Sequence, residues 1–332
     1  MNETLVDRDA LQRWLDAHDG DGLGRGQTLQ ITPLTSGFSN AMFRVTRGAH
    51  QWVLRRPAKV ALARANEAMA REFRLLHALD HTDVAHPRTV ALCEDHDVLG
   101  CTFYLMEAVD GFNPIEPLPT AFATLPDARR RVTFSVIDAL ARLHEVDWRA
   151  AGLDGFGRPQ GFHERQVARW IAQFDSYGGR EIPELHQTGE WLNRHIPSQF
   201  EPTLMHADYH MFNILVAPEP PARVAAIVDW ETASIGDPLL DAVGLTEIWC
   251  PSHPQSTGWP SASEMLERYA TQRSISLPDN LGYYVALYNF RMAILLEGIH
   301  QRSLTDPTRP NQVEVGEQAM KHAVAALAAT GG

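Results

Sequence analysis

The chain of 332 residues is 44% apolar and 21% charged, which excludes wholesale disorder and leaves length for about two domains of ~150 residues. Acidic residues outnumber basic ones by 41 to 29, and the net charge of −12 argues against a nucleic-acid partner, because neutralising phosphates needs a basic face. Only Lys59 and Lys321 are lysines, so a site whose chemistry ordinarily asks for lysine must here use arginine or do without.

The elements follow in chain order. Leu5, Leu11, Trp14 and Leu15 recur near one helical face over 5–18, with Asp7 as N-cap, and GDGLGRG at 20–26 breaks that helix. From 29 to 56 the period shifts to two, through LQITPL, AMFRVTRG and AHQWVLRRP, with Gly48 at a hairpin turn; this predicts a small antiparallel sheet. Residues 61–80, rich in Ala, Leu, Arg and Glu, predict a helix, and short strands are expected around 88–93 and 101–106. After Gly111 the texture changes. FNPIEPLPTAFATLP carries four prolines in fifteen residues, and helices are predicted beyond it at 127–146, 163–177, 184–195, 237–249, 263–273, 279–301 and 312–328. Only 203–229 interrupts them, with two strand-like runs, NILVA and RVAAIVDW. The expected plan is α+β: a small N-terminal lobe over 1–105, a connection at 106–112, and a larger helical lobe over 113–332.

Cys93, Cys101 and Cys250 have no CxxC spacing and make neither a disulfide framework nor a zinc site. The opening MNETLVDRDALQRW lacks the apolar stretch of a signal peptide, and no run approaches ~18 apolar residues. A cytoplasmic address with no membrane partner is expected.

The densest polar cluster lies within 206–241: His206, Asp208, His210, Asn213, Asp229, Glu231, Asp237 and Asp241. Asp208 and Asn213 stand in a loop just before the apolar strand NILV, and Asp229 ends the apolar strand AAIV. Paired as a hairpin, the two strands bring Asn213 and Asp229 to neighbouring ends, with Asp208 across a short gap. Two carboxylates and an amide oxygen are hard donors, and they suit Mg²⁺, which keeps positions for water and phosphate.

The H-x-D-x-x-x-x-N run from His206 to Asn213, followed by an apolar-flanked Asp229, resembles the catalytic and metal-binding segments of the protein-kinase-like superfamily. IVDWE with IGDPLLD resembles its aminoglycoside phosphotransferase and choline kinase branch, and DFG and APE are absent. Upstream, TSGFSNAMFRV resembles that family's phosphate loop, WVLRRP its cation-bearing strand, REFRLL its partner helix and FYLMEAVDG its interlobe hinge. Together these cover about residues 5–300. LRRP, REFRLLHAL and TDVAHPR are similar to a subgroup fused to some acyl-CoA dehydrogenases.

The resemblance implies a bilobal protein-kinase-like fold that uses ATP (or GTP) and Mg²⁺ to phosphorylate a small-molecule hydroxyl acceptor. In that frame Asp208 is the base or hydroxyl-orienting group, and Asn213 and Asp229 hold the metal. Arg55 takes the place of the usual lysine, pairs with Glu72 and reaches the α/β-phosphates. Backbone N–H groups of Gly37, Phe38, Ser39 and Asn40 cover the β/γ-phosphates. Adenine lies among Val53, Leu215 and Val228, bonded to the backbone of Glu107 and Val109 past Met106. Asp241 braces the catalytic loop and His206 shapes it. Two departures stand out. Ala207 replaces the family's glycine, tolerable at negative φ, and Arg55 replaces lysine, with Lys59 the only lysine nearby.

Plainer readings compete. Asp208 and Asn213 also suit a turn, Asp237 an N-cap, Glu231 a solvated strand end and Glu72 a surface charge. His144 reads as a satisfied buried histidine. Trp170, Trp191, Tyr283, Tyr284 and Tyr288 read as core, with helix 279–301 also available to line an acceptor pocket. Two other functions remain. A metallohydrolase would use His206, Asp208 and His210, but zinc would need a further His or Cys at matching depth, and the sequence shows no convincing partner motif. A nucleotide-binding pseudokinase is raised by Arg55 and opposed by the joint retention of Asp208, Asn213, Asp229 and Glu72. For the acceptor, the acidic balance favours a cation, whereas the LRRP likeness favours an acyl-CoA-like hydroxy compound.

Overall fold

Alternation of apolar and polar side chains along three N-terminal strands decides which sheet face becomes core and which is left for chemistry. The computed structural model describes residues 5–18, 22–34, 40–58, 63–306 and 312–331, and divides into two compact units. The first comprises Met1–Ala123, Arg149–Leu153 and Phe212–Thr232; the second is Thr124–Trp148, Asp154–Met211 and Ala233–Gly332.

In the first unit α1 (Arg8–Ala17) starts at Asp7, whose carboxylate accepts from the backbone N–H groups of Asp9 and Ala10, each at 2.9 Å. Then come β1 (Leu29–Pro33), β2 (Asn40–Arg47), β3 (His50–Pro57), α2 (Ala63–Leu79), β4 (Thr89–Cys93), α3 (His96–Leu99), β5 (Phe103–Glu107) and a single turn, α4 (Thr120–Ala123). The sheet order is β1-β2-β3-β5-β4, antiparallel throughout. The turn between β2 and β3 closes on the pair Arg47↔His50 and has φ +60° at Gly48, a conformation that glycine adopts without strain. Ala41, Phe43, Val45, Trp52, Leu54, Phe103 and Leu105 all point to one face, where they form a core with Leu11, Trp14 and Leu15 of α1. The intervening residues Met42, Val53, Arg55, Tyr104 and Met106 fall on the other face.

The expected strands NILVA and RVAAIVDW do pair, as Ile214–Val216 antiparallel to Val224–Ile227. This hairpin belongs to the first unit rather than to the 113–332 lobe in which the sequence reading placed it. Main-chain bonds are the reason: Phe112 and Val216 exchange two, at 2.9 and 2.8 Å, and the Ile227 N–H donates to the Ala85 carbonyl at 2.9 Å.

The second unit is mostly helical: α5 (Ala128–His144), α6 (Gln166–Asp175), α7 (Pro183–Arg194), α8 (Leu239–Ser252), α9 (Ala262–Arg273), α10 (Leu281–Thr305) and α11 (Val313–Ala328). Each expected helix of this region appears within a few residues of its predicted ends. A ladder of Thr203–Met205 with Ser234–Gly236 also forms, and its strands of three residues each are too short to show a period in sequence. α9 opens with a capping box between Ser261 and Glu264, and Arg268 grips Asp138 of α5 through two bonds of 2.8 Å. α10, the longest helix at 25 residues, buries Tyr283, Tyr284, Leu287, Phe290 and Ile294.

Candidate active site

Chemistry-bearing side chains gather in both units, and in each the local fold explains their placement. In the first unit they line a cavity of about 320 Å³ on the face of the sheet opposite the core. Arg55, in register with Tyr104 on β5 and Met42 on β2, is nearly fully buried. Its Nε lies 3.0 Å from Glu72 Oε2, and its Nη2 lies 2.7 Å from Asp229 Oδ1 and 3.3 Å from Glu231 Oε2. One cation thus serves three carboxylates.

Glu72 is only 2% exposed and comes from α2. Its Oε1 also accepts from the Trp230 backbone N–H at 3.1 Å, so one carboxylate fixes both the arginine and the turn that carries Asp229. Burial pushes the Glu72 pKa up, against the pull of Arg55, and Asp229 and Glu231 push it further. For Arg55, burial works to lower the pKa, but the fields of Glu72, Tyr104 and Asp229 outweigh it and the net shift is upward. The guanidinium stays charged.

Asn213 and Asp229 stand where the hairpin reading put them. Asn213 immediately precedes the first strand, and its carbonyl accepts from the Val228 N–H at 2.9 Å. Asp229 has φ +67°, in the left-handed region that aspartate tolerates better than most residues, and it turns the chain out of the strand into the 3₁₀ turn Trp230–Thr232. Both side chains line the cavity. The donor set fits a hard divalent cation: carboxylate and amide oxygens, beside a cluster in which three carboxylates face one guanidinium.

Val53, Met106, Leu215 and Val228 make the apolar part of the same cavity, with Glu107 and Val109 at its edge. The Glu107 N–H is already donated to the Arg88 carbonyl at 2.9 Å. Asn40 donates through Nδ2 to Glu231 Oε2 at 2.8 Å. Gly37, Phe38, Ser39 and Lys59 lie outside the described residues.

In the second unit the loop 206–211 is held from several sides. Asp241, from the first turn of α8, accepts from the His206 N–H at 2.7 Å and the Ala207 N–H at 2.9 Å. The Tyr209 hydroxyl donates to the Val136 carbonyl of α5 at 2.8 Å. His206 is wholly buried. Ala207 corrects an expectation: its φ is +64°, not negative, so its Cβ sits in the region that favours glycine. Asp208 is half-exposed, with His210 Nε2 3.4 Å from its Oδ1, and it lines a second cavity of about 150 Å³. His206, Asp208 and His210 do not converge as ligands, and among the described residues no three His, Cys, Asp or Glu side chains form a metal-holding group.

The plainer readings sort out by burial. His144 is buried between the Tyr269 hydroxyl (2.7 Å) and Asp241 Oδ2 (3.3 Å), as expected of a satisfied core histidine. Asp237 is a buried hub: it caps the Leu239 N–H at 3.0 Å and accepts from His163 at 3.0 Å and the Tyr284 hydroxyl at 2.8 Å. Glu72 is not the surface charge of the alternative reading, being buried against Arg55, whereas Glu231 is exposed to solvent as that reading has it and also pairs with Arg55. Sequence reasoning left out Met42, Tyr104 and Phe212 in the first cavity and Arg291 in the second. For Arg291 a signal existed: it is the only charged residue in the apolar run 281–296.

Residues 30–273 match the model of the phosphotransferase enzyme family. Acyl-CoA dehydrogenase family member 10 of Mus musculus is 32% identical over 314 residues, an alignment covering 90% of this chain and 29% of that protein. Acyl-CoA dehydrogenase family member 11 of Homo sapiens is 31% identical over 313 residues, covering 90% and 40%. The chain therefore spans well under half the length of these relatives. Among solved structures, a putative aminoglycoside phosphotransferase from Ralstonia eutropha JMP134 superposes with a TM-score of 0.83 at 26% identity, over 98% of each chain. Among the described residues no helix is long and apolar enough to cross a membrane.

Proposed function

The chain belongs to the phosphotransferase enzyme family, and from that premise we propose that it is a small-molecule kinase, moving the γ-phosphoryl group of ATP to a hydroxyl with the help of Mg²⁺. The observation that carries the reading is the cavity that Arg55, Glu72, Asn213 and Asp229 line together with the apolar side chains of Val53, Met106, Leu215 and Val228. Asn213 and Asp229 would hold the metal. When bound, Mg²⁺ supplies positive charge that offsets the charge developing on the transferred group.

The residues divide the remaining work. Val53, Met106, Leu215 and Val228 hold the flat base, with backbone groups at Glu107 and Val109 as its polar contacts. Arg55 grips phosphate while Glu72 keeps its side chain extended across the sheet. The resemblance assigns contact with the β/γ-phosphates to the backbone N–H groups of Gly37, Phe38, Ser39 and Asn40, of which only Asn40 is among the described residues. Asp208 orients the acceptor hydroxyl and takes its proton. The acceptor oxygen then forms a bond to the γ-phosphorus as the bond to the ADP oxygen breaks, and ADP leaves with that electron pair. Asp241 and His206 hold Asp208 in place through the loop backbone.

Asp208→Asn tests the assignment. Phosphoryl transfer should fall by at least about 10²-fold, within the range for losing a general base, while nucleotide affinity by calorimetry stays unchanged. Wild-type turnover in that variant would refute the base. One observation favours a second reading, a nucleotide-binding pseudokinase: Arg55 occupies an oxygen of Asp229, a proposed metal ligand. ATP binding without Mg²⁺ dependence, and without transfer to any hydroxyl, would support it instead.

A further inference from the structure

Arg291 projects from the middle of α10 into the 150 Å³ cavity that Asp208 also lines. Its guanidinium lies 5.4 Å from the centre of the Trp170 ring and donates from Nη2 to the Ala207 carbonyl at 3.4 Å, a long bond. Its Nε is buried with no hydrogen-bond partner, and among the described residues no carboxylate lies within ion-pair distance. Burial draws its pKa down, as does nearby Arg169, against the fields of Asp241 and Asp208. Asp241 is already engaged by the backbone of His206 and Ala207. Arg291 is half-buried, and a partly desolvated guanidinium with an unpartnered Nε and no carboxylate in direct contact gains from an incoming anion.

The rest of the cavity sets size and polarity. Leu240, Ile248, Met292 and Leu295 make an apolar side, and the Tyr288 hydroxyl adds one polar group. A space of about 150 Å³ has room for a molecule about the size of benzene. The cavity thus combines a proton acceptor, a fixed cation and an apolar wall within reach of one small molecule.

We propose that this cavity is the acceptor subsite and that the acceptor is a small hydroxy compound bearing an oxyanion, carboxylate or phosphate, which Arg291 binds while the hydroxyl faces Asp208. Arg291 then sets specificity: together with Arg169 it disfavours the cationic acceptors that the chain's acidic balance favoured. The inference rests on the kinase reading only in calling the bound molecule an acceptor.

The test is calorimetric titration of the full chain, free of nucleotide, with β-hydroxybutyrate, glycerol phosphate, butanediol and aminobutanol as probes. At least one anion should bind, and the tighter of the two identifies the oxyanion. Butanediol and aminobutanol should bind at least about ten-fold more weakly, in keeping with a charge-assisted bond. Arg291→Met should lower anion affinity about ten-fold or more, with Arg291→Lys recovering part of it; circular dichroism establishes that both variants fold. Absence of binding by either anion, equal binding of butanediol, or undiminished anion binding in Arg291→Met overturns the inference.

With Mg²⁺ and ATP added, Arg291→Met should raise KM for the anionic acceptor while leaving kcat within about three-fold. Phosphorylation of butanediol as readily as the hydroxy acid would sink this inference and keep the kinase reading. Anion binding through Arg291 with no transfer to any probe would keep the subsite and refute the kinase.

Discussion

Arg55 faces Glu72, Asp229 and Glu231 with one positive charge, and what it contributes depends on the shape of that charge. A planar guanidinium binds carboxylates along two edges at once; an ammonium is a single point. Arg55→Lys should therefore keep one pairing, with Glu72 or Asp229, and retain partial transfer activity in a coupled ADP-release assay. Arg55→Met should lose most activity and about 3–5 kcal/mol of stability in denaturant titration, because it strands a buried carboxylate. Equal activity in all three proteins would show that the cation is not used. Ala207 poses the opposite case, a residue whose replacement should help. At φ +64° its Cβ costs roughly 1 kcal/mol, so Ala207→Gly should raise the urea midpoint by an amount worth up to about 1 kcal/mol, with the slope unchanged.

Elements matter here through what they hold. The first turn of α8 carries Asp241, whose two oxygens accept from the His206 and Ala207 N–H groups while His144 lies at 3.3 Å. An amide at that position has one acceptor and turns a donor toward an N–H. Asp241→Asn should cost about 1–3 kcal/mol in thermal unfolding and slow transfer without weakening nucleotide binding. If kcat is unchanged while stability falls, the brace serves folding alone. The strands show how far an element can be read in advance. Alternation along AMFRVTRG and HQWVLRRP already separates Ala41, Phe43, Val45, Trp52 and Leu54 from Met42, Val53 and Arg55. Glu231 resisted such reading, because its meaning depends on Asn40 and Arg55, which are 191 and 176 residues away along the chain. Arg291 was legible as the lone charge in the apolar run 281–296, but which cavity it enters was not.

At the scale of the molecule, pH offers a readout of its buried histidines. Burial lowers the pKa of His144 below 6.5, despite Asp241, and burial likewise lowers His322. Both then bind fewer protons folded than unfolded, so stability is lost as pH falls below about 6.5, by up to ~1.4 kcal/mol per pH unit for each. His144→Gln should flatten the fall in melting temperature between about pH 6.5 and 5 relative to wild type; an unchanged slope would mean that His144 titrates normally. The sequence by itself determined the α+β class, nearly every helix, the hairpin joining Asn213 to Asp229 and the family, because periodicity, caps and short spacings are local properties of the chain. Tertiary structure alone decided that residues 212–232 join the N-terminal unit, that Ala207 takes a left-handed conformation, that Glu231 is an ion-pair partner and that Arg291, its Nε unpartnered, shares a cavity with Asp208. These depend on which distant segments meet and how much water they exclude, and a charge's energy changes with that exclusion far more than with its neighbours in sequence.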